Sequence, residues 1–463
     1  MSHALALAQS PTPAWRREIA ATLRLAAPIV ATQLAQVSIM TVDVLMMGWL
    51  GADALAAGAV GSNLFFMVLV FGFGICMATA PLAAQAIGRR LHLVREVRRS
   101  VHQGMWAAAL LSVPATLLLA HAEDLLLLLR QDRAIAAEAH AYTLALMWGL
   151  FPALGFMVLR QFIAALQRPR AALAIQALAV VLNAGGNWLL MFGHWGLPAL
   201  GVVGAGIASA IANWIAFALL LGFVLLDGRM RRFRLLDGFW RRDFPRLREV
   251  FRLGLPIAAT LLLEVSVFAA AVYMLGAIDT AQLAAHQIAI QCAALTFMVP
   301  FGLAQAATVR VGIAAGAGDR AGVRRAGWTA FLLGLGFMST TAIALYALRL
   351  PIVGLFLDLG DAANARVVAH AVEFLAIAAL FQVFDGSQTI AMGALRGLKD
   401  TAVPLLIAGF GYWGVGFTVC WINAFVLDLG GLGIWLGLAL GLAVVAVLAS
   451  LRFAARERLG LVP

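Results

Sequence analysis

The sequence predicts an all-α polytopic membrane protein, with twelve transmembrane helices in two pseudo-two-fold related six-helix bundles. Three observations carry this. Of 463 residues, 63% are hydrophobic and only 12% are charged, with a mean hydropathy of +0.95, whereas ordinary soluble domains carry roughly 25% charged residues. The apolar residues fall in blocks of about twenty, the length that crosses hydrocarbon as a helix, and not in the alternating ten-residue segments of a membrane barrel. The second half of the chain also repeats the first.

Taken in order, the blocks are bounded by charges or by Gly/Pro turns. Their cores lie at 20–45, 54–79, 100–120, 136–158, 170–192 and 201–226, then at 251–275, 282–307, 326–348, 367–392, 402–426 and 431–451. Arg16 and Arg17 precede an apolar run from Ile19 to Leu50, too long for a cleavable signal, so the first helix is expected to stay as an anchor. The 14 prolines and 45 glycines lie scattered through the apolar runs, as membrane helices allow. Sorting the basic residues by side tests the count. With a cytoplasmic amino terminus, 29 of the 33 fall at the termini and the even-numbered connections, including Arg160 and Arg396 as helix-end residues. Such asymmetry predicts twelve spans with both termini cytoplasmic.

The opening of the repeat is readable without a gap. LRLAAPIVATQLAQVS from Leu23 lies over FRLGLPIAATLLLEVS from Phe251, which superposes Pro28 on Pro256, and LAAGAV from Leu55 meets LAAHQI from Leu283 at the same offset. FIAALQRPR from Phe162 meets TIAMGALRGLKD from Thr389. Six spans per repeat keep the repeats parallel, with their axis along the membrane normal and a cavity between them. The expected organisation is an amino-terminal lobe (1–226), a basic cytoplasmic linker (227–248) lying against anionic lipid, and a carboxyl-terminal lobe (249–463).

Three acids fall inside spans: Asp43 late in the first helix, Glu264 in the seventh and Asp385 in the tenth, within LFQVFDGSQ. A carboxylate at bilayer depth costs several kcal/mol and is by default functional. No basic residue stands in the middle of these helices to neutralise them. Gln382, Asp385 and Gln388, three apart, are expected on roughly one face, and Asn183 and Asn187, four apart, on another, with Ser209 offering a hydroxyl and Asp43 a charge. By the repeat, Glu264 falls on Gln36. Such oxygens can hold a hard monovalent cation, or the acids can carry a proton, and either makes a bound ion a switch of local charge, as a secondary transporter requires.

Other features exclude classes. A net charge of +11 sits in short clusters between apolar blocks, which reads as orientation and not nucleic-acid binding. Cys76, Cys292 and Cys420 lie in apolar stretches without metal spacing. GVVGAGIAS from Gly201 has no preceding strand and reads as helix packing. No nucleophile–base pair, metal motif or phosphate-binding loop appears, so the chain is expected to be no enzyme, to need no cofactor, and to draw its energy from an ion gradient. His286 reads as a packing residue or a proton relay, and the 15 Met and 12 Trp as lipid belts and cavity lining.

With these pieces in place the chain resembles the multidrug and toxic compound extrusion (MATE) family, in its NorM-like branch. The matching pieces are TVDVLMMGWLGADALAA, VLNAGGNW, FRLGLPIAATLLLEVS, AAHQIAI, TVRVGIAAG, FQVFDGSQ and ALRGLKD, in this order over essentially the whole chain. The resemblance implies a twelve-helix antiporter of the bacterial inner membrane, a monomer, that expels cationic amphiphiles in exchange for Na+ or H+ by alternating access. Glu264 and Asp385 match carboxyl-lobe acids implicated in cation coupling. Asp43, Asn183, Asn187 and Ser209 match an amino-lobe polar cluster. Gln36, His286, Gln287, Phe381, Gln382 and Gln388 are the expected supporting polar and cavity residues. Some sodium-coupled relatives carry tyrosine where Phe381 stands, and other branches an acid in place of Asn187. A lipid-linked oligosaccharide flippase is the alternative, disfavoured because the middles of the first, second, seventh and eighth helices lack arginine.

Overall fold

The computed structural model describes residues 14–241 and 243–462; residues 1–13 of the expected amino lobe, Arg242 of the linker and Pro463 lie outside the described residues. Among the described residues twelve long helices follow one another: α1 (Ala14–Leu50), α2 (Ala52–Arg89), α3 (Leu93–Ala120), α4 (Arg133–Ala165), α5 (Arg170–Phe192), α6 (Gly201–Leu226), α7 (Phe244–Ile278), α8 (Thr280–Gly316), α9 (Arg320–Ala347), α10 (Ala362–Gly397), α11 (Ala402–Val426) and α12 (Gly430–Ala454). The repeat extends to detail, since the short helices Ala122–Leu128 and Arg349–Val353 follow α3 and α9 at corresponding places.

Aspartates set several helix starts. Asp132, Asp243, Asp279 and Asp319 each accept a backbone N–H in the first turn of α4, α7, α8 and α9, which removes an orphan donor that hydrocarbon would not satisfy. Most helices outrun their apolar cores because backbone hydrogen bonding continues past the last apolar residue. In α4 and α10 this carries Arg160 and Arg396 inside the helix.

Buried side chains from Met46 to Ile257 form one core and those from Val267 to Val462 another, giving two six-helix bundles. At the end carrying most of the basic residues the bundles are joined. Leu25, Ala26 and Ile29 of α1 pack with Leu303, Ala306 and Ala307 of α8, and Ile75, Ala78 and Leu82 of α2 with Val250, Leu253 and Ala258 of α7. Arg310 of α8 grips Glu18 of α1 at 2.6 Å, and Gln85 of α2 donates to the carbonyl of Gly397 at 3.0 Å. Arg99 of α3 holds Asp243 at 2.5 Å, while Arg246 of α7 bridges to Glu96 of α3. Among the described residues no ion pair joins the bundles at the opposite end.

The linker does not simply lie along a surface, as the sequence suggested. Phe233 is buried edge-on against Phe162 of α4 at 5.4 Å, the His102 ring meets the Leu235 carbonyl at 2.7 Å, and the Trp106 indole donates to the Phe239 carbonyl at 3.0 Å. It folds back under the first bundle, because its apolar residues interrupt the arginines.

The Arg99 guanidinium holds the Asp243 carboxyl below its ordinary 3.8. Its contribution is therefore full above that value and is lost only as pH falls through the depressed one, so this clasp is intact throughout pH 5–8. Asp243→Asn keeps an N-cap but loses the ion pair. The expected loss is about 0.2–1 kcal/mol for a partly exposed pair. A cysteine replacing Ala258 in the seam should then react with a maleimide up to about fivefold faster than in the Asp243 parent; an unchanged rate would remove the clasp from the closure.

Candidate functional site

Between the bundles lies a cavity of about 640 Å³, walled by α1, α2 and α4 on one side and by α7, α8 and α10 on the other. Gln33, Gln36 and Arg160 face it from the first bundle, and Glu264, Phe381, Asp385, Gln388 and Arg396 from the second. A smaller cavity of about 120 Å³ runs into the first bundle past Asp43, Tyr142 and Ser209, and shares Gln36 and Arg160 with the larger one.

The second-bundle cluster is built on Gln388. Tyr412 of α11 donates its hydroxyl to the Gln388 amide oxygen at 2.8 Å, which turns the amide nitrogen toward the acids. That nitrogen faces three acceptors: Glu264 at 3.1 Å, Asp385 at 3.3 Å and the Thr389 hydroxyl at 3.0 Å. An amide carries only two N–H groups, so the acceptors outnumber the donors, and the carboxylates keep oxygen lone pairs for whatever enters. Asp385 is 5% exposed. Neither acid forms an ion pair among the described residues, though Asp385 feels the charge of Glu264 and Glu264 that of Arg396.

The first-bundle cluster is a relay. Asn183 donates to Ser209 at 2.7 Å, Ser209 to one Asp43 oxygen at 2.9 Å, and Asn187 to the other at 2.6 Å. Both Asp43 oxygens are therefore occupied, whereas the buried amide oxygens of Asn183 and Asn187 have no donor among the described residues. Two orphaned amide oxygens beside a carboxylate suit a small hard cation.

The structure thus gathers Asp43, Asn183, Asn187 and Ser209, and separately Glu264, Asp385 and Gln388, with Gln36 on the opposing wall. Other expected site residues go elsewhere. Gln382 is fully buried but accepts from Thr296 of α8 at 2.8 Å. Two steps of three residues turn a helix by about 120° from its starting direction, so Gln382 and Gln388 leave α10 on different sides. His286 packs against Trp435 at 5.4 Å, between α8 and α12, outside the cavity lining. Gln287 is exposed, and Gln291 one turn on faces the cavity instead. Phe381 reaches the cavity with its ring against Phe268 and Trp435.

One expectation needs correction. The cavity does hold fixed cations, Arg160 from α4 and Arg396 from α10. The sequence puts both at helix ends, and Arg396 does stand in the last turn of α10; hydropathy gives no sign that these ends face the cavity. The helical periodicity of VLRQFIAAL, apolar on both sides of Arg160, is the signal that could have found the first.

The MatE family model matches residues 28–189 and again 256–422, beginning at Pro28 and Pro256, the pair that the internal repeat superposes. The "Probable multidrug resistance protein NorM" of Mesorhizobium japonicum is 50% identical, with 98% of this chain and 97% of that protein covered. The "Multidrug resistance protein NorM" of Burkholderia vietnamiensis is 40% identical, with 98% and 97% covered. Among solved structures, an outward-facing multidrug resistance MATE family transporter of the MOP superfamily superposes with a TM-score of 0.85 at 18% identity, over 96% of this chain and 99% of that one, a likeness of fold. The chain belongs to the MatE family, and is accordingly a transporter and not an enzyme.

Proposed function

We propose that this multidrug efflux transporter is an antiporter of the bacterial inner membrane that exports cationic amphiphiles in exchange for Na+ or H+. The observation that carries the reading is the Glu264–Gln388–Asp385 cluster: two acids share one over-subscribed amide, face the cavity between the bundles, and have no ion-pair partner among the described residues. An entering cation supplies what they lack. When substrate and coupling ion compete for these oxygens, each biases the two arrangements of the lobes, which is the requirement for exchange. Asp43 with Asn183 and Asn187 offers a second cation position. One chain contains both bundles and the whole cavity, which supports a monomer as the working unit. With the basic end cytoplasmic, the closure there makes this form outward-open, the positive-inside bias being the support for that orientation.

Arginines in the cavity lend some weight to a lipid-linked oligosaccharide flippase, whose pyrophosphate needs fixed cations. Glu264 and Asp385 stand in the same cavity, however, and would repel it.

The test uses the full chain in proteoliposomes loaded with tetraphenylphosphonium. Its release should accelerate when either an inward Na+ gradient or an inward proton gradient is imposed, and the gradient that works names the coupling ion. Release indifferent to both gradients would end the antiport reading.

A further inference from the structure

A separate cavity of about 570 Å³ opens at the basic end, between the start of α3 and the linker folded beneath it. A matched spacing shapes it. His102 and Trp106, one turn apart on α3, meet the carbonyls of Leu235 and Phe239, themselves four residues apart. This double pin lays the linker along α3 and brings Arg234 and Arg241 over Arg95, Arg98 and Arg99, which lie three to seven residues before His102 and share its side of the helix. Five arginines and two aspartates line the space. Asp243 is held by Arg99 at 2.5 Å and Asp237 lies 3.7 Å from Arg234, which leaves Arg95, Arg98 and Arg241 without an ion pair among the described residues. Guanidinium groups converging on one hollow repel one another until an anion enters, and their planar forks match phosphate oxygens in pairs.

Depth and surroundings say which phosphate fits. The 28 residues of α3 make roughly 42 Å of helix, about the thickness of a bilayer with its headgroups. Its first turns therefore stand at headgroup level. In the same linker and the turn after it, Leu236, Trp240 and Phe244 are 64%, 78% and 66% exposed, and Trp240 is steadied edge-on by Trp106 at 5.6 Å. Such side chains gain nothing from water or from a dissolved phosphate, but they match the boundary between headgroups and acyl chains. A lipid brings phosphate and chains together.

We propose that this cavity is a headgroup site for an anionic phospholipid: Arg95, Arg98 and Arg241 take the phosphate, and Leu236, Trp240 and Phe244 lie among the chains. It shares no lining residue with the cavity between the bundles, so it is distinct from the path of exported molecules. Arg99 and Asp243 border it, and the bound headgroup therefore lies beside the pair that clasps α3 to α7. A basic segment merely resting on a charged surface would recruit anionic lipid through many equivalent arginines; a pocket makes particular ones matter.

The test titrates the full chain in neutral detergent with dioctanoyl phosphatidylglycerol and, separately, with dioctanoyl phosphatidylcholine, and counts bound lipid by native mass spectrometry. The parent should hold the anionic lipid about tenfold or more tightly than the zwitterionic one, a comparison that needs no variant to fold. Arg98→Gln with Arg241→Gln should weaken phosphatidylglycerol by about tenfold or more, the loss of charge-assisted contacts. Arg16→Gln with Arg17→Gln, the same loss of charge beside Glu18 at the basic end, should change it by less than about threefold. Leu236→Ala with Trp240→Ala keeps every arginine and should also weaken the intact lipid, while leaving the bare headgroup, glycerophosphoglycerol, unaffected. Equal retention of the two lipids, or equal losses in the two arginine pairs, would overturn the site. Glycerophosphoglycerol bound as tightly as the intact lipid would overturn it too, and would give the cavity to a dissolved phosphate ester.

Discussion

Replacing Asp385 by asparagine is expected to abolish gradient-driven efflux while leaving the protein folded. Asp385 and Asn are near-isosteric, and the side chain stands one helical step from Gln388, whose amide already carries more acceptors than N–H groups. Asparagine keeps one oxygen to accept from Gln388 and puts an amide N–H in place of the other, a donor where acceptors are in excess, so the hydrogen-bond account is not broken. What disappears is a negative charge in a buried site, and a charge-assisted contact of this kind is worth about 1.5–3 kcal/mol, or roughly 10- to 150-fold in affinity for a cation. Cells carrying Asp385→Asn at parental protein levels should be as sensitive to tetraphenylphosphonium as cells without the transporter. Glu264→Gln should be milder, because Glu264 is less buried and the field of Arg396 already offsets part of its charge. Full resistance in the Asp385→Asn strain would mean that Asp385 does not couple transport, and full resistance with Glu264→Gln added would leave Asp43 as the remaining acid of the three inside spans.

The contrast between these acids marks how far sequence could go. Twelve spans were legible because each is an uninterrupted apolar block, and hydrocarbon permits no other backbone solution than a helix. The grouping of Asn183 with Asn187 followed from a four-residue spacing on one face, and the partnership with Asp43 from the need of buried amides for a partner. What could not be read were contacts whose cause lies in the tertiary arrangement. Glu18 and Arg310 are 292 residues apart, and their pairing depends on how two bundles lean together. Tyr412, which fixes the orientation of the central amide, sits on a neighbouring helix in a stretch wound as a π-helix. The place of Arg160 and Arg396 in the cavity wall was illegible for a different reason. A charge ends a hydropathy block, but it does not end the backbone hydrogen-bond ladder. A helix continuing into the seam between two bundles can carry a guanidinium far from water.

Gly88→Val is expected to be the second inactivating change, acting on the closure and not on chemistry. Gly88 of α2 faces α8 so closely that a Cβ built on it would lie 2.1 Å from the Ile313 carbonyl oxygen, a backbone atom with no side-chain freedom to yield; a Cβ built on Gly316 would in turn lie 2.2 Å from the Gln85 carbonyl oxygen. The two glycines thus permit the helix contact that seals the basic end of the cavity. A branched side chain there must push α2 and α8 apart, and overpacking of this sort costs about 1–3 kcal/mol, lowering the population of the closed arrangement by roughly 5- to 150-fold. An exchanger that cannot seal one end cannot alternate, so efflux from proteoliposomes should fall to the background of empty vesicles. Each bundle touches this seam with only a few small residues of its core, Ala83 and Ala86 on one side and Val311 and Ala315 on the other, so both should keep their helical content and thermal unfolding. The signature that separates jamming from misfolding is accessibility: a cysteine replacing Ala258 should be labelled from the basic side many times faster in Gly88→Val than in the parent. Slow labelling together with lost transport would show that the close α2–α8 contact serves packing alone.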